Sequence, residues 1–232
     1  LYAIDWQAGQ AVPIGESSWT APMQPNCVDL FSVELGDVAT HIAQGGPSPD
    51  TALAWSPNST RLAIGSFLGE VLVVDGWNGA VLARKRFSEA LVKQVAWSHD
   101  GEVLYVAEQS PDAALRALNS TDLTERWSVK LSDFVGHSPL PAANVYGIYT
   151  LPAAYDLKVL DDGNLLAIAT HAWTPTGGVR TNQSQILKFT HEGKLTDKWP
   201  DTPADAVLYR SVISNNIAVI PVSKSSGSED VG

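Results

Sequence analysis

Five histidines, one cysteine and scattered carboxylates are the side chains of this sequence with chemistry to offer. His137 and His171, joined by Asp133, Asp161 or Asp162, have the types needed to hold a metal ion or to exchange a proton. Their spacing is not that of metal ligands, so only a tertiary arrangement would assemble such a site. His99 and His191 fall in short polar turns and read as solvent-exposed. Cys27, in the segment MQPNCVDLF, has no neighbouring cation to depress its pKa and reads as structural. A Gly-x-Ser-x-Gly elbow, a His-Glu-x-x-His pair and a phosphate-binding loop are all missing from the sequence. No catalytic residue, metal ligand or cofactor is therefore assigned. What is assigned is a candidate binding face made of His137, Asp162, His171 and Trp173, grouped because strand ends and the segment after Asp133 can approach one face. Three sequons, Asn58-Ser-Thr, Asn119-Ser-Thr and Asn182-Gln-Ser, fall in expected turns and are candidate glycosylation sites.

Composition narrows the classes of partner. Fifteen Lys and Arg against 25 Asp and Glu give a formal charge of −10, which repels phosphate backbones and argues against nucleic acid. No apolar run approaches the roughly 18–20 residues that cross a bilayer. One cysteine excludes an intrachain disulfide. Scarce cysteine, a single methionine and the three sequons lean toward an extracytoplasmic setting, secreted or periplasmic.

Candidate residues need elements to position them, and these come from an internal repeat. Thr51-Ala-Leu-Ala-Trp-Ser-Pro-Asn-Ser-Thr-Arg-Leu-Ala-Ile64 aligns with Lys93-Gln-Val-Ala-Trp-Ser-His-Asp-Gly-Glu-Val-Leu-Tyr-Val106, with Trp55 and Trp97 at one position. Tyr155 to Ile168 fits the same register, and Val207 to Ile220 is a looser copy turning at Asn215-Asn216. Apolar residues two apart flank a turn each time: Pro57-Asn58-Ser59, Asp100-Gly101, Asp162-Gly163. A second signature follows, Val71-Leu-Val-Val-Asp-Gly-Trp-Asn-Gly79, and it matches Leu1-Tyr-Ala-Ile-Asp-Trp-Gln-Ala-Gly9. Four strands per unit of about 40–45 residues, without amphipathic helices, specify an all-β fold of four-stranded antiparallel blades, a β-propeller.

About four to five blades are expected over residues 1–222. One would be shared between residues 1–14 and 206–222, so that Leu1–Asp5 pairs with Ile217–Val222. Glu16 to Gln44 reads as a short, degenerate fifth blade. Residues 133–154 form an insertion, and long loops on a rigid frame tend to line a binding face. Residues 223–232 read as a flexible tail or linker.

The segments TALAWSPNSTRLAIGSFLGEVLVVDGWNGAVL and VKQVAWSHDGEVLYVAEQ resemble WD40-like repeats, and LYAIDWQAGQAV is similar to quinoprotein-type propeller repeats. The Gly-His pair that opens a WD40 repeat is missing, and Val74-Asp75 and Leu118-Asn119 replace its closing Trp-Asp. The resemblance implies a divergent propeller that binds at its faces. A non-enzymatic scaffold is the leading expectation, within a larger assembly that engages other proteins through the propeller faces and the 133–154 insertion. The alternatives are an extracytoplasmic enzyme of lactonase or quinoprotein-dehydrogenase type, and a carbohydrate-binding surface built on Trp173 and the Thr174–Gly178 loop.

Overall fold

The computed structural model describes residues 2–5, 10–13, 52–66, 69–88, 90–137, 151–173, 181–214 and 217–223. Cys27, His41, the Glu16–Gln44 stretch, most of the 133–154 insertion, the Thr174–Gly178 loop and the tail after Ser223 lie outside these residues.

Three four-stranded antiparallel sheets carry the structure. Blade 1 is β3 (Ala52–Trp55), β4 (Arg61–Gly65), β5 (Glu70–Asp75) and β6 (Val81–Arg86). Blade 2 is β7 (Leu91–Trp97), β8 (Val103–Gln109), β9 (Ala114–Asn119) and β10 (Glu125–Lys130). Blade 3 is β11 (Ala153–Val159), β12 (Leu165–Trp173), β13 (Thr181–Phe189) and β14 (Leu195–Ala204). Within each blade the strands pair in chain order, so every connection is a hairpin.

The expected turns are where the hairpins reverse. Ser59, Gly101 and Gly163 take left-handed backbone angles of +57°, +72° and +78°. In each turn an upstream polar side chain braces the loop: Asn58 Oδ1 accepts from the Thr60 amide, Asp100 from Glu102, and Asp162 from Asn164. The equivalent positions of three sequence copies thus make the same local structure.

Strand alternation then decides what meets between blades. Ala63, Val71 and Val73 of blade 1 face Val95, Leu104 and Leu118 of blade 2. Tyr105, Leu115 and Ala117 on the other side of blade 2 face Leu157, Ala167 and Leu187 of blade 3. Polar links stitch the same junctions. The Trp97 indole donates to the Ala54 carbonyl at 2.8 Å, and the Trp127 indole to the His191 carbonyl at 2.8 Å. Arg61 reaches from blade 1 to the Gly101 carbonyl at 2.8 Å and lies over the Trp97 ring at 4.8 Å. Outer strands β6 and β10 alternate between exposed and half-buried residues, as strands facing water on one side should.

A fourth unit begins after blade 3. β15 (Val207–Leu208) pairs with β18 (Val222–Ser223), and β16 (Val212–Ser214) with β17 (Ile217–Val219), making one interrupted antiparallel pair. It is fastened to blade 3 by Asp156, buried on β11, which accepts hydrogen bonds from the Ser211 amide and hydroxyl. The N-terminal strands β1 (Tyr2–Asp5) and β2 (Gln10–Pro13) pair with each other. The only pairing described for Tyr2–Asp5 is with Gln10–Pro13. Among the described residues the sheets do not close on one another, and the propeller is partial.

Candidate binding face

The residues expected to share one face are divided between the two ends of blade 3. Asp162 sits in the turn before β12, whereas His171 and Trp173 lie at the end of that strand. Nine residues of extended chain separate Asp162 from His171, roughly 30 Å, so no common site can include both. Asp162 is instead a turn and ion-pair residue. The Lys188 ammonium at 2.9 Å and hydrogen bonds from Asn164 hold its carboxyl down to about 2. His99 and His191 are exposed in their turns, and His99 Nε2 also touches the Leu160 carbonyl of blade 3 at 2.8 Å.

His171 departs from expectation in another way: it is fully buried and cannot itself meet a partner. Its Nδ1 lies 3.1 Å from the Val135 carbonyl, at the end of the short helix α1 (Ser132–Val135). The imidazole therefore pins the segment from which the insertion departs. Gly136 follows with φ +81°, a left-handed backbone that strains any residue with a side chain, and the Gln183 amide oxygen stands 2.7 Å from where a Cβ would sit. His137 comes next and is exposed, with Nδ1 at 3.3 Å from the Pro111 carbonyl and Nε2 at 3.9 Å from Asp133. Trp173 pairs with Thr181 at the same end of the sheet.

Burial lowers the pKa of His171, opposed by the hydrogen bond that its ring donates to the Val135 carbonyl and reinforced by the nearby His137. The unfolded chain then binds more protons than the native one between the ordinary histidine pKa and the lower native value. Stability should fall as pH drops through that window and level off below it. Urea unfolding of wild-type and His171→Gln protein across this range tests the sign: the wild type loses stability more steeply. Parallel pH dependences would remove His171 as the cause.

Beside α1 at this end of the blades lies a cleft of about 720 Å³, lined by blade 2, by α1 and by Ser88 of the link from blade 1. The apolar packing between blades 1 and 2 runs out at Phe87, and charged groups take over. Glu108, on β8, is buried; it accepts from the Ser88 hydroxyl at 2.9 Å and stands 3.6 Å from Arg116. Arg116, on β9, also binds Glu125 and lies over the Phe87 ring at 5.3 Å. Lys130 pairs with Asp112 at 3.2 Å, and Asp133 completes the rim. Burial alone would raise the Glu125 carboxyl, but hydrogen bonds from Arg116 and Ser128 outweigh it and hold its pKa below the ordinary value.

The sequence analysis missed this cleft because Glu108 and Arg116 sit inside strands that read as packing segments, VLYVAEQ and ALRALN. A signal was present in strand parity. Glu108 stands in step with Leu104 and Val106, and Arg116 with Leu118, all on the face turned to blade 1.

The sequons also separate. Asn58 is exposed in its turn, with its carbonyl oxygen engaged by Ser56 and Thr60. Asn119 is half-buried and bonds Thr124 and Arg126. Asn182 is not in a turn: it is buried within β13, where the second and third strands of blade 3 extend beyond their counterparts. Its side chain is not presented on the folded surface as a glycan acceptor must be.

Among the described residues no three His, Cys, Asp or Glu side chains converge as metal ligands do, and no helix is long and apolar enough to cross a membrane. No family model matches the sequence, and no curated protein matches it. Solved structures do match. The quinohemoprotein alcohol dehydrogenase of Comamonas testosteroni aligns over 96% of this chain and 36% of its own, at 10% identity and a TM-score of 0.55. The chain folds as a partial β-propeller. The Cps50 (Swd1) propeller domain of Myceliophteria thermophila covers 87% of the chain at 10% identity and a TM-score of 0.47, and the chain spans 53% of that domain. The WD40 domain of Toxoplasma gondii coronin covers 71% at 16% identity, with a TM-score of 0.42 and 37% of its own length. These neighbours are of the WD40 and quinoprotein kinds that the repeats resemble, and at such identities the likeness concerns the fold alone.

Proposed function

We propose that this partial propeller is a non-enzymatic protein-interaction module, one component of a larger assembly. Its docking end is the one carrying the Glu108–Arg116 cleft and the start of the 133–154 insertion. The observation that supports this is the alternation of charge around the cleft on strands held rigid by the inter-blade cores. Acidic and basic groups fixed in place select a partner of complementary pattern and exclude others, which is how polar interfaces gain specificity. The enzyme alternative draws on the quinoprotein-like opening LYAIDWQAGQAV together with Asp162 and His171, and of these the two side chains lie at opposite ends of β12.

A photoreactive amino acid placed at Asp133, on the cleft rim, should crosslink one defined partner in the cells that make the protein. The same group at Asp162, at the opposite end of the blades, should not. Lys130→Glu should abolish the adduct at position 133. Equal labelling from both ends, or none from the cleft, would overturn the assignment.

A further inference from the structure

The turns that join the first two strands of blades 1, 2 and 3 are built alike, and one atom sets the first of them apart. Asn58, Asp100 and Asp162 hold the same position. In each turn a side-chain oxygen accepts the hydrogen bond from the amide two residues on, that of Thr60, Glu102 or Asn164. The brace needs an oxygen, and aspartate supplies it in two of the three turns. What asparagine adds at position 58 is an amide nitrogen. Its Oδ1 also accepts from the Ser56 and Thr60 hydroxyls, each at 2.8 Å, while the nitrogen donates to nothing among the described residues. Asn58, Ser59 and Thr60, the whole sequon, are exposed.

The other two sequons are committed to the fold. The Asn119 nitrogen donates to the Thr124 hydroxyl, its oxygen accepts from Arg126, and Ser120 beside it is buried and bonded to the Gly101 carbonyl. Asn182 is 2% exposed within β13. A glycan is bulky and hydrated. At Asn182 it would have to be buried with its polar groups, and at Asn119 it would compete with Thr124 and Arg126 for the same amide.

We propose that Asn58 is a site of N-linked glycosylation, and that of the three sequons it alone carries sugar in the folded protein. The side-chain nitrogen bonds to the anomeric carbon of an oligosaccharide carried on a lipid diphosphate; one amide proton is lost and the lipid diphosphate leaves. The nitrogen keeps its second hydrogen and Oδ1 keeps its lone pairs, so the brace to Thr60 survives the modification. The Asn58 turn lies at the end of the blades away from the Glu108–Arg116 cleft, so a glycan there leaves the cleft open. The assignment stands whether or not that cleft binds a partner.

Protein isolated from the cells that make it provides the test. Enzymatic release of N-linked sugar in heavy-oxygen water leaves a labelled aspartate wherever sugar was attached, and peptide mapping locates it. The expected result is label at position 58 and none at 119 or 182. Asn58→Asp retains the oxygen that the sister turns use, so the variant should fold as the wild type does and lose all N-linked sugar. A chain without sugar at Asn58 overturns the proposal, and so does sugar at Asn119 or Asn182 in the folded protein. Either failure leaves the crosslink expected from Asp133 unaffected, so the two readings fall separately.

Discussion

Trp97→Ala is expected to destabilise the chain by about 3–5 kcal/mol, whereas Trp55→Ala, measured in dilute protein, costs about 1 kcal/mol. The two residues hold the same repeat position, so the difference isolates what a neighbouring blade adds. Trp97 is buried among Ala63, Val73 and Leu104, and its truncation leaves a cavity that two sheets of fixed spacing cannot collapse. It also leaves the Ala54 carbonyl without the donor that the indole supplies and removes the ring beneath the Arg61 guanidinium. Trp97→Phe should keep most of the packing and lose the hydrogen bond, for a cost nearer 1–2 kcal/mol. Urea unfolding of the three variants measures the order. Equal costs for Trp97→Ala and Trp55→Ala would mean that the junction between blades 1 and 2 contributes nothing special to stability.

That comparison also shows how far the repeat could be read from the sequence. The turns were legible because Asn58-Ser59, Asp100-Gly101 and Asp162-Gly163 need particular side chains and backbone angles within a few residues. The blades were legible because alternation is a local property of each strand. Which residues face which blade is not local. Trp55 and Trp97 are indistinguishable in sequence and differ sevenfold in exposure, because only one has a described sheet against it. Asp162 and His171 looked like neighbours since both flank β12, but a strand puts its two ends as far apart as a chain can. His171 could be placed at a strand end and not inside the protein, because its burial comes from α1, a segment distant in sequence. Asn182 lay in an expected turn because nothing local announces that β12 and β13 run nine residues each. Glu108 and Arg116 were hidden for the opposite reason: their neighbours are apolar, and a charge amid packing residues becomes informative once the facing blade is known.

Arg116 is the residue whose loss should be felt most widely after Trp97. Arg116→Ala is expected to cost about 3 kcal/mol, because a buried carboxylate that loses its cation keeps its desolvation penalty. Glu108 is buried with one contact to this guanidinium and one to Ser88, and Glu125 shares the same cation. Arg116→Met preserves most of the contact with Phe87 and removes only the charge, so it separates the ion pair from the packing. In a double-mutant cycle Arg116→Met and Glu108→Gln should be clearly non-additive, the pair costing less than the sum. The pH dependence supplies an independent check. Glu125 has a native pKa below its ordinary value, so its contribution is present above that value and is lost as pH falls through the native one. Without Arg116 most of this shift disappears, so the gap between wild type and Arg116→Met should be widest near neutrality and narrow on acidification. A gap that stays constant with pH would assign the role of Arg116 to its stacking on Phe87 and not to its charge, and the cleft would then be apolar at its base.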